Sequence, residues 1–397
     1  MIVPNVHNNW DPLKYVILGD VWNSSFYEDI KDGAIRDAFQ TVTEWTKEDL
    51  NIIQKKLEEL GVEVVRPNIS SPTVGKTGKL PKPPICPRDS SAVLGNTFYY
   101  GEGHHFLYEY QEILSKINRS NIKINGAINF GLSGAGLVKF GKDIIIDKGE
   151  GSNEQTTDEA KRRVFEDVYS LEKHKKQYLQ EYRIRYTTEG GHTDGCFMPL
   201  KPGLLLTSLY YKEYETVAPN WERIDLSTPT YAHHRSQNGL GWKLKTKLEQ
   251  EKNLEKGYRK WFVSNDNGTV DYYPAINDFV EKYCADWIGD YTETFFEVNT
   301  LVIDEKNLLC MGIHESLFRD LERHGITPHV VPFRCRTFWD GGLHCITLDL
   351  VREGSLKEYD YGRDTSHELL VSSKHFDYSD GQFKKEYNEF KAQREQQ

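Results

Sequence analysis

The best candidate nucleophile of the chain lies in residues 338–349. This segment reads Phe-Trp-Asp-Gly-Gly-Leu-His-Cys-Ile-Thr-Leu-Asp, so a pair of glycines precedes His344 and Cys345, and a strand-like alternation of apolar and polar residues follows them. A cysteine where a glycine turn meets a strand has a fixed backbone and a side chain presented at the end of an element, which suits a nucleophile. Free cysteines also often serve only to fill the core. Taken alone, the segment leaves both roles open for Cys345.

A histidine and an aspartate follow two glycines in residues 189–194, which read Glu-Gly-Gly-His-Thr-Asp. Side chains alternate along an extended segment, so His192 and Asp194 would point to the same side. A carboxylate beside an imidazole stabilises the protonated ring and raises its pKa, which makes a unit for proton transfer. The alternative is an exposed loop without a chemical role.

A third candidate segment, residues 86–91, follows a proline-rich loop and reads Cys-Pro-Arg-Asp-Ser-Ser. Arg88 and Asp89 are neighbours of opposite charge. They suit either a ligand with complementary charges or an ion pair on a surface loop. Elsewhere, the glycine-rich residues 131–136 lack the Lys-Ser/Thr of a phosphate loop and precede a strand, which argues against nucleotide binding.

Composition and cysteine usage narrow the class of protein. The 397 residues carry a formal net charge of −10, from 50 Lys and Arg against 60 Asp and Glu. An acidic balance argues against nucleic acid or an anionic membrane as the main partner. The six cysteines are scattered without paired spacing, which favours neither a metal site nor a disulfide framework. With no signal peptide and no apolar run of membrane-spanning length, the sequence predicts a soluble, cytoplasmic protein.

The elements that position these segments repeat along the chain. A predicted helix over residues 46–60 ends at Gly61 and leads into a strand at 62–65. The same order returns late, where a helix with Leu317 and Leu321 ends at Gly325 before a strand at 326–331. A long helix over 157–180 is predicted to be largely exposed. We expect one α/β domain over residues 1–355 and a charged tail or surface appendage over 356–397.

The three candidate segments together, in this order, resemble the amidinotransferase family, which includes glycine amidinotransferase. The residues that carry the resemblance are Pro87-Arg88-Asp89, His192-Thr193-Asp194 and Gly341-Gly342-Leu343-His344-Cys345, with a similar first strand at residues 10–19. The resemblance spans residues from about 10 to 355 and implies that family's fold, a five-bladed α/β propeller of ββαβ units around a pseudo-fivefold axis. The repeated helix–glycine–strand order agrees with this.

The resemblance also implies a chemistry. Cys345 would attack the guanidinium carbon of an arginine-like donor and hold the amidino group covalently. His192 would protonate the leaving amine and deprotonate the incoming one. Asp194 and Asp89 would bind guanidinium nitrogens, with Arg88 beside them in the substrate site. Neither a metal nor an organic cofactor is implied, the partners are small molecules, and a homodimer is one assembly known among the relatives.

The sequence departs from the family where a pair of carboxylates is expected, because those positions fall on about Ser133 and Gly136. We expect Glu189 or Asp340 to supply the missing carboxylate at the substrate site. The segment over 292–297 also lacks the serines that hold the family's donor, so the resemblance fixes neither arginine as the donor nor glycine as the acceptor, and the sequence does not identify the amine acceptor. Two alternatives to amidino transfer stay open: a guanidine hydrolase or deiminase of the same superfamily, and a small-molecule-binding protein that kept the fold without full activity.

Overall fold

One arrangement of three strands recurs five times, with an antiparallel first pair and a third strand parallel to the second. The computed structural model describes residues 1–70, 82–100, 106–124, 133–147, 158–187, 192–208, 217–226, 262–264, 270–272, 297–312, 314–339, 341–363, 369–372 and 381–396. Within these residues the five sheets form five blades of one repeated design. The predicted five-bladed α/β fold is thus confirmed.

The blades follow the chain, except that the first is completed by the last long strand. In order along the chain, the strands are β1 (Leu13–Leu18), β2 (Glu63–Val65), β3 (Ser91–Leu94), β4 (Thr97–Tyr100), β5 (Ile122–Ile124), β6 (Leu137–Phe140), β7 (Asp143–Asp147), β8 (Arg183–Thr187), β9 (Phe197–Lys201), β10 (Leu204–Thr207), β11 (Glu222–Asp225), β12 (Phe262–Ser264), β13 (Val270–Tyr272), β14 (Leu301–Asp304), β15 (Asn307–Met311), β16 (Thr327–Val331), β17 (Thr347–Arg352) and β18 (Leu369–Ser372). Blade 1 contains β17, β1 and β2, and blades 2 to 5 begin at β3, β6, β9 and β14. Strands β12 and β13 form a separate hairpin.

Helices connect the second and third strands of four blades. The helices of the described residues are α1 (Gly33–Glu59), α2 (Pro87–Ser90), α3 (Phe106–Lys116), α4 (Asp158–Tyr178), α5 (Glu315–Arg323), α6 (Arg336–Trp339) and α7 (Gly381–Glu395). Helices α1, α3, α4 and α5 belong to blades 1, 2, 3 and 5. The corresponding connection of blade 4 lies partly outside the described residues. None of the helices in the described ranges is both long and apolar enough to cross a membrane.

Two glycines end equivalent helices in blades 1 and 5. Gly61 follows α1 with φ of +81° and Gly325 follows α5 with φ of +73°. Glycine adopts this left-handed conformation without steric cost, so it ends a helix and turns the chain toward the next strand. A Cβ at either position would meet no atom within 4 Å, so backbone conformation alone requires glycine there. The predicted repeat of helix, glycine and strand is confirmed at both places.

Two helices differ from their predicted form. Helix α1 begins at Gly33 rather than near residue 46, because Asp32 caps it by accepting hydrogen bonds from the backbone nitrogens of Ala34 and Ile35. Helix α4 is not largely exposed: Val168 and Leu171 are fully buried. Its apolar side packs on blade 3 and on α7, so the polar composition of α4 hides a buried stripe.

The last described strand and helix of the C-terminal extension fold against blade 3. Strand β18 adds to the sheet by pairing in parallel with β8. In α7, Phe383 and Tyr387 are buried and pack around Phe165. Strand β18 and helix α7 thus contribute to the core of blade 3, while the division into a domain over 1–355 and a tail or appendage over 356–397 stays a prediction.

Blade 1 joins the two ends of the propeller. Strand β17 pairs antiparallel with β1, and Val16 lies opposite Asp349. Beside this pairing, the backbone nitrogen of Gly19 donates to the carbonyl oxygen of Ile346 at 2.8 Å. The residue next to the candidate nucleophile is therefore hydrogen-bonded to the start of the chain.

Candidate active site

Cys345 lies in the turn between α6 and β17, with only 1% of its surface exposed. The turn is closed by a hydrogen bond from the Ile346 nitrogen to the Gly342 carbonyl oxygen at 3.1 Å. The thiol therefore has a fixed backbone at the start of a strand, as the glycine turn predicted.

The side-chain amide of Asn299 holds this turn. Its Oδ1 accepts hydrogen bonds from the backbone nitrogens of His344, at 3.1 Å, and Cys345, at 3.0 Å. Its Nδ2 lies 3.1 Å from Sγ of Cys345 and 3.2 Å from the carbonyl oxygen of Asp194. Asn299 is fully buried. One amide thus contacts the nucleophile, its backbone and the neighbouring acidic residue.

Gly342 is required by the closeness of that amide. A Cβ on Gly342 would lie 2.4 Å from Oδ1 and 2.7 Å from Cβ of Asn299, well inside van der Waals contact. A Cβ on Gly341 would instead approach Sγ of Cys86 at 3.0 Å and Cβ of Cys345 at 3.4 Å. The two glycines therefore avoid different steric clashes: Gly342 makes room for Asn299, and Gly341 makes room for the Cys86 and Cys345 side chains.

Asp194 lies beside Cys345 and binds His344. It belongs to a 3-10 turn, Thr193–Gly195, and its backbone nitrogen donates to the carbonyl oxygen of Ala135 at 3.1 Å. Its Oδ2 accepts a hydrogen bond from Nδ1 of His344 at 2.7 Å and lies 3.8 Å from Sγ of Cys345. Its Oδ1 is buried without a hydrogen-bond partner among the described residues. An unpartnered buried carboxylate oxygen at the thiol suits a cationic ligand.

Burial and charge set the protonation states of the His344-Cys345 pair. Burial raises the pKa of the Cys345 thiol well above its usual range, and the nearby Asp194 and Asp89 raise it further. Burial and the Arg88 charge lower the pKa of His344 to about 4, against the opposing effect of Asp194. In the absence of a ligand, His344 is therefore a neutral ring that donates through Nδ1, and Cys345 is a thiol at neutral pH.

Arg88 lies beneath the turn and is fully buried. Its Nε donates to the carbonyl oxygens of His344, at 2.8 Å, and Thr347, at 2.9 Å, and its Nη2 binds Oδ1 of Asp349 at 2.7 Å. These contacts direct the guanidinium at the protein backbone. In this structure Arg88 supports the nucleophile turn from inside the core, which differs from the predicted place among the substrate-binding residues.

Asp349 is the centre of a buried ion cluster. Arg352 binds its second oxygen at 2.8 Å, and Lys139 of β6 is buried nearby. Burial alone would raise the pKa of Asp349, but Arg352, Arg88 and Lys139 together hold it well below its usual range. The pKa of Lys139 falls to about 7, chiefly through burial. The cluster ties β17 to α2 and to blade 3 beneath the site.

Asp89 lies next to Arg88 on α2 and is partly exposed. Lys82 is its ion-pair partner at 3.6 Å, while its Oδ1 is buried without a hydrogen-bond partner in the described ranges. Asp89 is close enough to Cys345 to raise the pKa of that thiol. The two neighbouring side chains of α2 thus differ, since that of Arg88 lies in the core and that of Asp89 is partly exposed beside Lys82.

The remaining residues of the predicted site are His192, Ser133, Glu189 and Asp340, and the structure describes the first two. His192 immediately precedes the turn that carries Asp194, and its carbonyl oxygen accepts a hydrogen bond from the Gly195 nitrogen at 3.1 Å. Ser133 Oγ accepts from the Ala135 nitrogen at 3.1 Å, so this hydroxyl supports a backbone turn. Glu189 and Asp340 lie outside the described residues, and their predicted role as the missing carboxylate stays a prediction.

Asn299 is the residue that sequence reasoning missed. It precedes β14 as a single amide with no spacing signature, and its role follows only from the approach of blade 5 to the nucleophile turn. Gly342 carried an indirect signal, since a glycine beside a predicted nucleophile indicates that another group comes close to the backbone. The partner could not be identified from that signal.

The chain is similar in sequence to two curated proteins of the same name. No protein-family model matches the chain. Inosamine-phosphate amidinotransferase 1 of Streptomyces griseus is 24% identical over 408 residues, covering 89% of this chain and 98% of that protein. The enzyme of the same name from Streptomyces glaucescens is 22% identical over 417 residues, covering 90% of this chain and 99% of that protein.

Solved structures agree with the sequence matches. The Streptomyces griseus enzyme superposes with a TM-score of 0.57 at 19% identity, covering 91% of this chain and all of that chain. An amidinotransferase of Microseira wollei from the saxitoxin biosynthetic pathway gives a TM-score of 0.56 at 19% identity, covering 90% of this chain and 99% of that chain. The predicted resemblance is confirmed: over nearly its whole length the chain is similar in sequence to two amidinotransferases, and it shares the fold of two solved amidinotransferase structures.

Proposed function

We propose that this protein transfers an amidino group from a guanidino donor to an amine, with Cys345 as the covalent carrier. The observation that carries the proposal is the position of Asp194: Oδ2 lies 3.8 Å from the Cys345 sulfur, and Oδ1 is buried without a partner among the described residues. A planar guanidinium bound by this carboxylate would present its carbon to the sulfur. The homologous amidinotransferases support the same chemistry.

The first step forms a covalent intermediate. The Cys345 thiolate attacks the guanidinium carbon, an S–C bond forms, and the C–N bond to the donor's amine breaks. His192 gives that amine a proton as it leaves. The positive charge of the bound donor lowers the thiol pKa that burial and Asp194 raise, so ligand binding and thiolate formation support each other.

The second step reverses the first with a new amine. The incoming nitrogen attacks the amidino carbon, the S–C bond breaks, and the thiolate returns, while His192 takes a proton from the new C–N nitrogen. Asp194 and Asp89 would bind the guanidinium nitrogens in both steps through charge-assisted hydrogen bonds. We assign Arg88 the role of a positioning residue, since its contacts are to the turn that carries Cys345.

An amine on a phosphorylated ring is the first acceptor to test, because inosamine phosphate appears in the names of both curated relatives. Glu189 or Asp340 is the proposed source of the carboxylate that Ser133 and Gly136 lack.

A location in the reducing cytoplasm is supported by the free thiols of five cysteines, and cell fractionation tests it. They are Cys86, Cys196, Cys310, Cys335 and Cys345. A homodimer is proposed on the family resemblance alone, and sedimentation would contradict it by giving one chain's mass.

The decisive experiment incubates the protein with arginine labelled in its guanidino carbon and maps the label by peptide mass spectrometry. We expect label on the Cys345 peptide, released as a new guanidino compound when inosamine phosphate is added. Cys345→Ala should take no label. Cys310→Ala is the matched control, since Cys310 is also buried and its thiol pKa is raised to about 12 by burial, and it should label like the native chain.

The products separate the alternatives. Ornithine with a new guanidino compound means transfer, whereas citrulline or urea without one means that water completes the second step. No label on Cys345 with any of a broad set of guanidino donors would contradict the proposal and favour a binding protein.

A further inference from the structure

We propose that Asn299 is a catalytic residue that stabilises the Cys345 thiolate by donating a hydrogen bond from its side-chain amide to the sulfur. This inference rests on the proposed function, in which Sγ is the reacting atom. It adds a residue that the sequence segments did not contain. Nδ2 of Asn299 lies 3.1 Å from Sγ, and both residues are almost completely buried.

The orientation of the amide is determined by its surroundings. Two backbone nitrogens, those of His344 and Cys345, donate to one end of the Asn299 side chain at 3.1 and 3.0 Å. Only an oxygen can accept both bonds, so the other end is the NH2 group. That end faces two acceptors, the sulfur of Cys345 and the carbonyl oxygen of Asp194. A rotated amide would place an oxygen against both and leave the two N–H groups unpaired.

The site needs such a donor because its other features oppose a negative sulfur. Burial and the carboxylates of Asp194 and Asp89 both favour the protonated thiol. A backbone hydrogen bond involving Gly342 acts in the opposite direction. The Asn299 amide adds a second, side-chain dipole aimed at the sulfur, and a preorganised donor in a buried site is worth more than one in water.

The same amide couples the nucleophile to the acidic residue across the site. Through Oδ1 it fixes the backbone of the His344-Cys345 pair, and through Nδ2 it contacts both the sulfur and the Asp194 carbonyl. Asn299 therefore sets the distance between the attacking atom and the carboxylate that would bind the guanidinium. A substitution here should reduce the rate constant of adduct formation more than it weakens donor binding.

The test measures the thiol itself. Native protein, Asn299→Leu and Asn299→Asp are alkylated with iodoacetamide across a pH series, and the rate at Cys345 is read from its peptide by mass spectrometry. Leucine removes the donor without adding charge, and aspartate keeps the accepting oxygen while replacing the donor. We expect both profiles to move to higher pH, with the rate on the rising limb reduced about tenfold to a hundredfold, as for loss of a hydrogen bond to a charged group.

A second pair of variants keeps the test decisive if substitutions at Asn299 unfold the chain. Gly342→Ala leaves Asn299 in the sequence but pushes its amide away, because the new Cβ would lie 2.4 Å from Oδ1. Gly341→Ala is the comparison variant, since the atoms nearest its Cβ would be Sγ of Cys86 at 3.0 Å, Cβ of Cys345 at 3.4 Å and Cγ2 of Ile346 at 3.6 Å, so that it crowds the same turn without Asn299 among its nearest neighbours. We expect Gly342→Ala to shift the alkylation profile in the same direction as Asn299→Leu, and Gly341→Ala to shift it much less.

The outcomes separate this inference from the proposed function. Superimposable alkylation profiles for native protein and folded Asn299→Leu would overturn the role of Asn299, whatever the reaction. Equal shifts in the two glycine variants would also overturn it. A shifted profile together with no arginine-derived label on native Cys345 would support the amide's effect on the thiol and contradict amidino transfer.

Discussion

The imidazole of His344 donates a hydrogen bond from Nδ1 to Oδ2 of Asp194 at 2.7 Å, with both side chains buried. The residue before the nucleophile thus holds the carboxylate that we propose as the guanidinium ligand. Because the pKa of His344 is lowered to about 4, the ring is neutral and leaves the charge of Asp194 available for a substrate cation. The pair orients the carboxylate without neutralising it.

Asp194→Asn separates the charge of this residue from its shape. The asparagine oxygen still accepts from His344, so we expect the fold to persist. Donor binding should weaken about tenfold to a hundredfold, since a charge-assisted hydrogen bond is lost. Alkylation of Cys345 by neutral iodoacetamide should become faster, because Asp194 raises the thiol pKa. We therefore expect weaker arginine binding together with faster alkylation. A loss of both arginine binding and alkylation rate would instead indicate a distorted site.

Arg88→Met tests whether the arginine supports the turn or binds substrate. Removing one partner of a buried ion pair leaves Asp349 with less compensation, so we expect the free energy of unfolding to fall by about 3–5 kcal/mol. Lys14→Met is the control, because Lys14 pairs with Glu353 at 3.0 Å with both side chains at least half exposed, and we expect no more than about 1 kcal/mol. Urea unfolding measures both. If Arg88→Met is as stable as the native protein but has a raised KM for the donor, Arg88 binds substrate rather than supporting the turn.

Acid should destabilise the chain through His344. Its pKa is lowered from 6.5 to about 4 in the folded protein, so the unfolded chain binds the proton first as pH falls. The resulting stability is complete above pH 6.5 and is lost between there and about pH 4, with a maximum contribution of about 3 kcal/mol. His344→Gln should therefore show a flatter dependence of unfolding free energy on pH in this window.

His174 gives the control for that prediction. Its pKa is also lowered to about 4, chiefly by burial, but it lies on α4, where Nε2 is 3.1 Å from the hydroxyl of Tyr99. His174→Gln should flatten the same part of the stability curve and leave the alkylation profile of Cys345 unchanged. If His344→Gln also leaves that profile unchanged, the contact with Asp194 has no effect on the thiol.

Phe383→Ala tests the C-terminal extension. Phe383 is buried against Phe165 with ring centroids 5.1 Å apart, so truncation should lower the free energy of unfolding by about 3 kcal/mol. The exposed Lys385→Ala on the same helix should change it by no more than about 0.5 kcal/mol. Adduct formation on Cys345 at low temperature should be the same in both. Thermal unfolding of Phe383→Ala that matches the native chain would mean that α7 is not part of the blade 3 core.

Local sequence features predicted the repeating part of the fold. Gly61 and Gly325 mark helix ends because only a left-handed backbone turns the chain back at those points, and this requirement is visible in the sequence. Asp32 caps the start of α1, and aspartate is a common N-cap residue, so the sequence contains a local signal for that boundary as well. The pairing of Val16 with Asp349 has no local signature, because it joins residues at opposite ends of the propeller.

Some residues of the candidate site could likewise be predicted from local sequence, and others could not. Cys345 and Asp194 belong to segments with recognisable residue types, and the structure brings the two side chains to 3.8 Å. The inward direction of Arg88 could not be predicted, because neighbouring residues on a short helix point to different sides and only the packing of β17 decides which side is the core. The role of Asn299 follows from contact between blade 5 and the turn that carries Cys345. No single sequence segment indicates a contact between two distant parts of the chain.

The pairing of β1 with β17 also bears on when, during folding, the turn that carries Cys345 takes its native geometry. Contacts between distant parts of a chain form only after the entropy of closing the loop between them has been overcome, so they come late in folding. The hydrogen bond from Gly19 to Ile346 is such a contact, and it lies one residue from the sulfur. In chain order, the strands of blades 2 to 5 all precede β17, which completes blade 1. We therefore expect the turn that carries Cys345 to reach its native geometry only when blade 1 closes the ring.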